Sequence, residues 1–379
     1  MNTTSSQPPV LMNDFKAQWQ RIREDALAVV DRVGASGWLI LGQEVAQFET
    51  ELAKFWDLKH AVGCASGLDA IELGLRVLGI KPGDQVLTTP VSAFPTTLAI
   101  YRAGGVPVFV DVDECGLVDL DRVDQACREN PELKFFVPVH LFGFSLDLHK
   151  LAALKEKYSL KIVEDCAQAI GASFDGKVVG SVGDIAATSF YPTKNLGCMG
   201  DGGAVLTNDA ALAEHMKILR DYGQSSKYHH REIGMNSRLD ELQAGLMTAC
   251  FLPSLAESIH RRQEIAARYR AEITNSKLTI PQAPAGADAT YHLFPVFVQG
   301  NQAEFQEYLK GKDIESGIHY PIAIPDQEAM KSSPYTALDE LKNARYIVNH
   351  EVSIPVHPYL KDDEVERVIE ACNQWGNTV

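Results

Sequence analysis

The stretch Ser189-Phe-Tyr-Pro-Thr-Lys-Asn-Leu-Gly197, followed by Gly200-Asp-Gly-Gly203, lies near the middle of the chain. Lys194 follows an apolar run from Ile185 to Phe190, which predicts a buried strand, and precedes a glycine-rich turn that lets the backbone approach a ligand. A lysine at the mouth of an apolar pocket loses hydration, so its pKa falls and neutral amine can attack a carbonyl. The stretch therefore indicates Schiff-base chemistry at Lys194, although a lysine after a strand is more often a solvated loop charge.

The composition is that of an enzyme-sized globular protein. A chain of 379 residues exceeds one ordinary core, so two domains of unequal size are expected. The formal net charge of -15 argues against nucleic acid as a partner, because phosphate backbones require clustered Lys and Arg. A membrane span is not expected either, because no stretch of about 18 consecutive apolar residues occurs.

The cysteines and the N-terminal residues favour a cytoplasmic protein. Residues 1–11 are polar and contain proline, without the charged and apolar regions of a secretory signal. The 7 cysteines are odd in number and form no CxxC pair. We therefore expect reduced, mostly buried thiols and no metal site.

The order of elements predicts an α/β fold. A flexible N-terminal arm at residues 1–12 is followed by two amphipathic helices, which start at Asn13 and around Val45. After Trp56, apolar strands alternate with helices, which predicts a mostly parallel sheet of seven strands buried on both faces. The predicted strands are Ala61–Cys64, Gln85–Thr88, Val106–Val110, Phe135–Val139, Lys161–Val163, Ile185–Phe190 and Ala204–Thr207.

The pattern changes after Gln243, which predicts a second, smaller α+β domain. Pro253 breaks one helix, and a long amphipathic helix then runs from about Leu255 to Ile273. The expected division is a large ligand-binding domain at residues 13–254 and a small domain at residues 255–379. The small domain is predicted to contain strands at Tyr291–Val298 and Gly317–Tyr320 and helices at Ala303–Leu309 and Asp362–Trp375.

Two strand ends early in the chain are candidates for ligand contacts, because ligands of parallel sheets bind at the carboxyl ends of strands. Ser66 and Gly67 open a helix, and free amides at a helix start suit phosphate, although a plain Ser N-cap explains them equally. Phe94 offers a flat apolar face just past the next strand. Most such aromatic residues belong to the core, so a ring-stacking role is the less common alternative.

Two later strand ends carry polar side chains. Asp165 ends a buried strand, and a buried carboxylate needs a cation: a protonated ring nitrogen, an Arg or a metal. Gln168 lies one helical turn further and is close enough to touch the same ligand. Ser189, at the end of the strand before Lys194, can share a phosphate with Ser66. A Gly-x-Gly-x-x-Gly fingerprint is missing after the first strand, which disfavours a nicotinamide enzyme.

Five motifs in this order resemble those of the DegT/StrS sugar aminotransferases, a family of fold-type I pyridoxal-phosphate enzymes. The resemblance extends from about Gly37 to Leu360, and the motifs are jointly specific. They are Ala65-Ser-Gly-Leu-Asp-Ala70, Glu164-Asp-Cys-Ala-Gln-Ala169, Ser189-Phe-Tyr-Pro-Thr-Lys-Asn-Leu-Gly197, Gly200-Asp-Gly-Gly-Ala-Val205 and Gly234-Met-Asn-Ser-Arg-Leu-Asp-Glu-Leu-Gln-Ala244.

The resemblance implies a role for each motif residue. Lys194 would form the imine with pyridoxal 5'-phosphate, Asp165 would pair with its pyridine nitrogen, and Gln168 would lie beside its ring hydroxyl. The resemblance further implies stacking and phosphate contacts from Phe94, Ser66, Gly67, Leu68 and Ser189. Asn236 matches a residue delivered to the phosphate by the other subunit, so a homodimer with shared active sites is implied.

Two comparisons with the family pattern affect the expected chemistry. Leu68 stands where many members have Thr, so only its backbone amide can contribute there. One branch of the family replaces the lysine by histidine and removes a hydroxyl, whereas Lys194 is present here and favours transamination. The family further implies L-glutamate as amino donor and pyridoxamine 5'-phosphate as the aminated form of the cofactor.

The acceptor is expected to be a nucleotide-linked keto sugar. Its candidate contacts are Tyr228, His229, His230, Arg238, His319 and Tyr320, together with the Val356-His-Pro-Tyr359 segment. Lone histidines and tyrosines are more often structural, and an ion pair with Asp240 or Glu241 explains Arg238 equally well.

Four hypotheses about the acceptor and the activity remain open at this point. The Tyr-His-His run followed by the Gly-Met-Asn-Ser-Arg segment is similar to members that aminate a 3-keto sugar, with the 4-keto sugar as runner-up. A different keto acceptor such as an aminocyclitol ketone is the third hypothesis. A non-catalytic regulatory protein is the fourth, and Lys194, Asp165 and Gln168 argue against it.

Overall fold

The computed structural model describes residues 8–376 of the chain. Within this range, helices alternate with strands from residue 60 to residue 165, as the sequence predicts, and four further strands then follow one another before the helix that starts at Ala210. The helices are α1 (Phe15–Ser36), α2 (Gln43–Phe55), α3 (Gly67–Val77), α4 (Phe94–Arg102), α5 (Leu120–Glu129), α6 (Leu148–Tyr158), α7 (Ala210–Arg220), α8 (Glu241–Leu246), α9 (Leu255–Glu272), α10 (Gln302–Lys310), α11 (Lys342–His350) and α12 (Asp362–Gln374).

The strands form one large sheet and three small ones. The strands are β1 (His60–Cys64), β2 (Gln85–Thr88), β3 (Val106–Phe109), β4 (Phe135–Val137), β5 (Lys161–Asp165), β6 (Ser173–Phe174), β7 (Lys177–Val178), β8 (Ile185–Ser189), β9 (Gly203–Thr207), β10 (Gln224–Ser226), β11 (His229–His230), β12 (Leu278–Thr279), β13 (Ala287–Asp288), β14 (Phe294–Val298), β15 (Thr336–Ala337) and β16 (Glu351–Ile354).

The large sheet confirms the α/β prediction and adds one strand to it. Its order is β1-β9-β8-β5-β4-β2-β3-β15, and all seven predicted strands lie in it. Only β9 runs against its neighbours β1 and β8, and the remaining pairs are parallel. The eighth strand, β15, has two exposed residues, so no apolar run announces it.

The topology brings the ends of three strands, β1, β5 and β8, together with the start of a fourth, β9. Because β9 is antiparallel to both neighbours, β1 and β8 run in the same direction as β5. Gly203, the first residue of β9, pairs with Cys64 at the end of β1 and with Ser189 at the end of β8. The residues that follow β1, β5 and β8 therefore meet at one edge of the sheet.

A second, smaller core follows α9. The antiparallel sheet β12-β14-β16 packs with α9, α10 and α12 around Tyr269, Phe294 and Val352. The predicted strand at Gly317–Tyr320 is wrong, because only one isolated bridge joins Gly317 to Ser353 and Tyr320 has a left-handed backbone, at φ 61°. The strand paired with β14 is β16 instead, which the sequence analysis did not identify.

The domain boundary after residue 254 stays a prediction. Residues beyond it contribute to both cores: Leu293, Ala344 and Ile347 pack in the core of the large sheet, beside Phe109 and Phe142. The C-terminal part of the chain is therefore built into the large sheet as well as into the small one.

The predicted flexible arm is wrong at Val10. Residues 1–7 lie outside the described residues, but Val10 is fully buried and bridges to Ile314. Its amide donates to Asp313 O at 2.8 Å, and its carbonyl accepts from the Glu315 amide at 2.9 Å. The segment around Val10 is thus fixed to the small core.

The prediction of reduced, mostly buried thiols is confirmed within residues 8–376. All cysteines are buried free thiols. The helices in this range are too short or too polar to cross a lipid bilayer.

Glu241 joins two distant segments and has no role in binding Arg238. It is buried and accepts from the amides of Gly42, Glu44 and Val45 at 2.8–3.0 Å, which caps the start of α2. Free amides at a helix start carry partial positive charge, so a carboxylate is the natural partner.

We predict that Glu241→Ala lowers the free energy of unfolding by about 1.5–3 kcal/mol, because three backbone amides, of which that of Val45 is fully buried, lose a charged acceptor. Urea denaturation followed by circular dichroism measures the change. Asp240→Ala is the matched control, because the adjacent Asp240 is exposed and its side chain caps nothing. Equal stabilities of the two variants would contradict the capping role.

Candidate active site

Lys194 lies in a tight turn that follows β8. The Lys194 amide donates to Tyr191 O at 2.8 Å, and the Cys198 amide donates to Phe190 O at 2.8 Å, which closes the turn. A Cβ on Gly197 would lie 2.4 Å from Pro192 O, so only glycine allows this closure. The turn thus fixes the backbone from which the Lys194 side chain extends.

The ammonium group of Lys194 is enclosed and has no fixed partner. No hydrogen bond or ion pair joins it to any residue of the described range 8–376. Burial lowers the pKa of Lys194 from 10.5 to about 8, although the Asp165 carboxylate opposes this shift. A substantial neutral fraction therefore exists near neutral pH, as the sequence analysis expected.

Asp165, the last residue of β5, is buried and hydrogen-bonded. Its Oδ2 accepts from Thr96 Oγ1 at 2.9 Å, and its Oδ1 accepts from the Ala167 amide at 3.1 Å. Burial raises the pKa of Asp165, and these hydrogen bonds together with Lys194 only partly oppose the rise. A cationic group in front of Asp165 would keep the carboxylate ionised.

Ser66, Gly67 and Ser189 converge beside the start of α3. A Cβ on Gly67 would lie 2.5 Å from Ser189 Cβ, so the glycine permits the close approach. Ser66 Oγ accepts from the Asp69 amide at 3.1 Å, whereas the first two helical amides, of Gly67 and Leu68, have no intrahelical partner. This corner can hold an anion such as a phosphate group.

A cavity of about 250 Å³ connects these groups, and we call it the Asp165 cavity. Its wall includes the corner formed by Ser66, Gly67 and Ser189, together with Lys194 and Asp165. It is lined by Ser66, Gly67, Leu68, Ile71, Ala93, Pro95, Thr96, Asp165, Ala167, Ser189, Tyr191, Lys194, Asp201 and Gly202.

Glu164, the neighbour of Asp165, points away to a separate buried network. It accepts from His140 Nε2 at 2.8 Å and from the amides of Gly180, Val182 and Gly183. The Leu146 amide donates to His140 Nδ1 at 3.2 Å, so the ring is fully used. Glu164 therefore holds two loops in place, and only Asp165 of the acidic pair faces the cavity.

Gln168 is buried behind the Asp165 cavity and does not line it. The Phe142 amide donates to its Oε1 at 2.8 Å, and its Nε2 donates to the Tyr320 hydroxyl at 2.6 Å. Burial raises the pKa of Tyr320 above its usual range, so the phenol stays protonated. Gln168 thus connects the large sheet to the Ile318-His-Tyr-Pro321 segment.

Lys194 also lines a second cavity of about 320 Å³, which we call the His319 cavity. Tyr320 and His319 lie in its wall, as does His292, which the sequence analysis did not single out. Burial lowers the pKa of His319 to about 4 and that of His292 well below its usual value, so both rings are neutral. His292 is 7% exposed and its Nδ1 has no hydrogen-bond partner among residues 8–376.

Several predicted site residues lie outside both cavities. Phe94, the first residue of α4, is half-buried and packs on the core, although its neighbours Ala93 and Pro95 line the Asp165 cavity. The remaining ones are exposed or partly exposed in or beside the β10–β11 hairpin and line neither cavity: Tyr228, His229, His230, Asn236 and Arg238.

Arg238 is paired, but neither expected acid is its partner. Its guanidinium donates to Asp221 Oδ1 at 2.9 Å and to the Tyr222 hydroxyl at 3.3 Å. Its guanidinium carbon also lies 4.9 Å from the centre of the Tyr222 ring. The ion-pair alternatives with Asp240 and Glu241 are therefore wrong.

The groups around Lys194 fit pyridoxal 5'-phosphate. One cavity is lined by an amine with a lowered pKa, a buried carboxylate that forms no ion pair within residues 8–376, and an anion site at a helix start. The large parallel sheet with this site at its edge is the fold of fold-type I pyridoxal-phosphate-dependent transferases.

A model of the DegT/DnrJ/EryC1/StrS aminotransferase family matches residues 20–373, so the chain belongs to this family and is an aminotransferase. The chain is 40% identical to the dTDP-3-amino-3,6-dideoxy-alpha-D-galactopyranose transaminase of Aneurinibacillus thermoaerophilus, over 96% of this chain and 98% of that one. It is 36% identical to a protein of Geobacillus stearothermophilus named pleiotropic regulatory protein, over 95% and 97%. The crystal structure of S. venezuelae DesV in complex with a ketimine intermediate is similar, with 37% identity, a TM-score of 0.93 and coverage of 98% and 100%.

The electrostatic effect of Asp165 on Lys194 can be tested without cofactor. We predict that the Lys194 amine of the cofactor-free protein titrates near pH 8, and that Asp165→Asn shifts its midpoint to lower pH. The sign follows because a nearby carboxylate stabilises the ammonium form, which is lost on substitution. Competitive acetylation across pH, read by mass spectrometry of the Lys194 peptide, measures the midpoint.

Asp201→Asn is the matched control for that titration. Asp201 also lines the Asp165 cavity, but it is exposed, so solvent screens its charge. Its variant should titrate like the wild type. A wild-type midpoint near 10.5, or equal midpoints for all three proteins, would contradict the proposed environment.

Proposed function

We propose that this chain is a pyridoxal-phosphate-dependent aminotransferase that moves an amino group from L-glutamate to the keto group of a nucleotide-linked sugar. Position 3 is favoured, since the Aneurinibacillus thermoaerophilus relative is named for a 3-amino sugar. The observation that carries the proposal is the Lys194 amine, which has no hydrogen-bond partner among residues 8–376, in the cavity that Asp165 lines. The 4-keto sugar and a keto cyclitol remain the alternative acceptors.

The chain supplies a carboxylate, an amine and a cavity that they line together. When bound, pyridoxal phosphate acts as an electron sink for the carbon that loses its proton. Asp165 would hold a proton on the pyridine nitrogen through a charge-assisted hydrogen bond, and Thr96 and the Ala167 amide hold that carboxylate in place. The Asp165 carboxylate is buried, so bulk water does not screen its interaction with a cation, and that interaction is stronger.

Lys194 is the general acid and base. As the free amine it removes the proton from the alpha carbon of the amino donor, and as the ammonium it returns a proton at the next step. A pKa of about 8 keeps both forms populated near neutral pH. Because Lys194 has no fixed partner within residues 8–376, its side chain is free to move between the carbon that loses the proton and the atom that receives it.

The phosphate would be held by Ser66, Ser189 and the amides of Gly67 and Leu68. Phe94 remains the proposed stacking residue, because it lies in the same first turn of α4 as Thr96, which donates to Asp165. Gln168 acts through Tyr320, to which it is hydrogen-bonded, rather than at the wall of the cavity.

The keto sugar would enter the His319 cavity. This space adjoins Lys194 on the side of the small core and presents neutral histidine rings and the Tyr320 region to a ligand. Neutral imidazoles and phenols suit sugar hydroxyls, since each can both donate and accept hydrogen bonds.

A second copy of the chain would complete each site. An exposed apolar patch of Trp38, Leu39, Met199 and Leu242 lies close to the Lys194 turn, with Gln243 bonded to Met199. Large exposed apolar surfaces mark protein interfaces. In such a dimer, the hairpin residues that line neither cavity of their own subunit would contribute to the partner's site: Tyr228, His229, His230, Asn236 and Arg238.

The amino-transfer activity makes a direct prediction. The purified protein with added pyridoxal phosphate should show visible absorbance that L-glutamate bleaches and a keto nucleotide sugar restores. Lys194→Ala should abolish the absorbance and lower turnover by at least about 100-fold, since it removes the general base.

Lys177→Ala is the control for loss of an ordinary lysine, because Lys177 is exposed on β7. A panel of 3-keto and 4-keto nucleotide sugars and a keto cyclitol identifies the acceptor. A protein that stays colourless with the cofactor would instead support the regulatory alternative.

The shared site predicts complementation between two defective subunits. We expect Lys194→Ala and Asn236→Ala each to be inactive alone, since each removes one subunit's contribution to a site. Randomly mixed subunits should recover about a quarter of the wild-type activity, because half of the dimers carry one intact site. Activity measured after mixing, unfolding and refolding checks this, and a mixture as inactive as its components would rule out shared sites.

A further inference from the structure

A buried hydrogen-bonded chain reaches the His319 cavity from the small core. Glu351, the first residue of β16, is fully buried and accepts from the His319 amide through Oε2 at 2.7 Å. Its Oε1 is hydrogen-bonded to Ser353 Oγ, and Ser353 Oγ lies 2.9 Å from His319 Nδ1. The chain therefore runs from a carboxyl group, through one hydroxyl, to an imidazole in the cavity wall.

No cation balances Glu351. In the described part of the chain it forms no ion pair, and the residue opposite it on β14 is the apolar Phe297. Tyr320 and His319 are the titratable groups close to it, while Lys194 and His292 lie beyond His319. On the neighbouring α11, His350 Nδ1 lies 2.7 Å from Tyr346 O, and the ring is half-buried. Burial accordingly raises the pKa of Glu351 from 4.5 to about 8.

The two charge states of Glu351 require opposite hydrogen-bond directions. The ionised carboxylate accepts from Ser353 Oγ–H, so Ser353 Oγ must accept from His319 Nδ1–H, and Nε2 is left as a bare acceptor. When Glu351 is protonated, its Oε1–H donates to Ser353 Oγ, and the serine hydroxyl then donates to Nδ1. The ring proton in that case lies on Nε2, which becomes a donor.

We propose that Glu351, acting through Ser353, sets the tautomer of His319 and thereby whether its Nε2 offers a donor or an acceptor to the His319 cavity. Glu351 and Ser353 are positioning residues, since neither lines the cavity. His319 itself remains neutral in both arrangements, because its own pKa is about 4.

The consequence for ligands rests on the proposed function. At neutral pH the protonated Glu351 makes His319 Nε2–H a donor, which suits an oxygen that can only accept, such as a keto or phosphate oxygen. Above pH 8 the site changes to an acceptor and loses that hydrogen bond. The preference of the cavity would thus depend on a carboxyl group that never touches the ligand.

The tautomer can be read directly by nitrogen NMR of the full chain loaded with pyridoxal phosphate and labelled with 15N-histidine. Bare and protonated imidazole nitrogens have separate shifts, and His319→Gln identifies the signal. We expect Nε2–H below about pH 8 and Nδ1–H above it. Repeating the titration with Lys194→Ala shows that the change does not come from Lys194, whose pKa is similar.

Two variants test the hydrogen-bonded series from Glu351 through Ser353 to His319. Glu351→Gln must direct its amide oxygen to the His319 N–H and its amide NH2 to Ser353 Oγ, so Nε2–H should persist from pH 6.5 to 9.5. Ser353→Ala breaks the chain and should remove the change at pH 8. A wild-type tautomer that is constant with pH, or variants that still switch at the wild-type midpoint, would overturn the proposal.

The half-reaction with the keto sugar provides a second measurement. Glu351→Gln should match the wild type within about twofold at pH 7 and be about tenfold faster at pH 9, where only about a tenth of wild-type Glu351 is protonated. Equal rates at both pH values would contradict the effect on the ligand. Failure of every keto sugar to react would defeat the proposed function, whereas the NMR result would still decide the tautomer.

Discussion

The structure depends on burying an amine and a carboxylate in the same cavity without letting them satisfy each other fully. Lys194 has no hydrogen-bond partner within residues 8–376, and the pKa of Asp165 is raised although two hydrogen bonds hold its oxygens. Unpaired buried charges are costly, so the rest of the fold must supply the stability. A cationic ring nitrogen in front of Asp165 and a carbonyl in front of Lys194 would relieve both costs at once.

The sheet topology makes this arrangement possible. Reversal of β9 places Gly203 between the ends of β1 and β8, where a Cβ would lie 2.4 Å from Ser66 backbone atoms. Glycine there and at Gly67 brings two serines and a helix start together. Remote contacts then fix the surroundings: Glu241 caps α2, Glu164 holds two loops, and Gln168 reaches across to Tyr320.

The sequence predicted features that depend on local pattern and apolar runs. The seven strands of the large sheet were predicted from their apolar runs. The convergence of Ser66, Asp165, Ser189 and Lys194 was predicted because the carboxyl ends of parallel strands meet at the same edge of a sheet. The family resemblance contributed the cofactor and the roles of individual residues. It also predicted the family to which the chain belongs.

The errors concern long-range contacts that no local pattern records. The segment Gly317–Tyr320 was predicted as a strand, but it is a bend held by Glu351 and Ser353, more than 30 residues away. Thr96 and His292 carry no motif signal of their own, and burial alone reveals them. The partner of Arg238 was also missed, because Asp221 lies next to it only after the hairpin folds back.

The central claim is that one lysine forms the covalent link to the cofactor. Reduction of the protein with borohydride in the presence of pyridoxal phosphate, followed by peptide mass spectrometry, tests it most directly. The account predicts the phosphopyridoxyl mass on the peptide that contains Lys194 and on no other peptide at stoichiometric amounts. Attachment at a different lysine, or no attachment although the protein is folded, would contradict it.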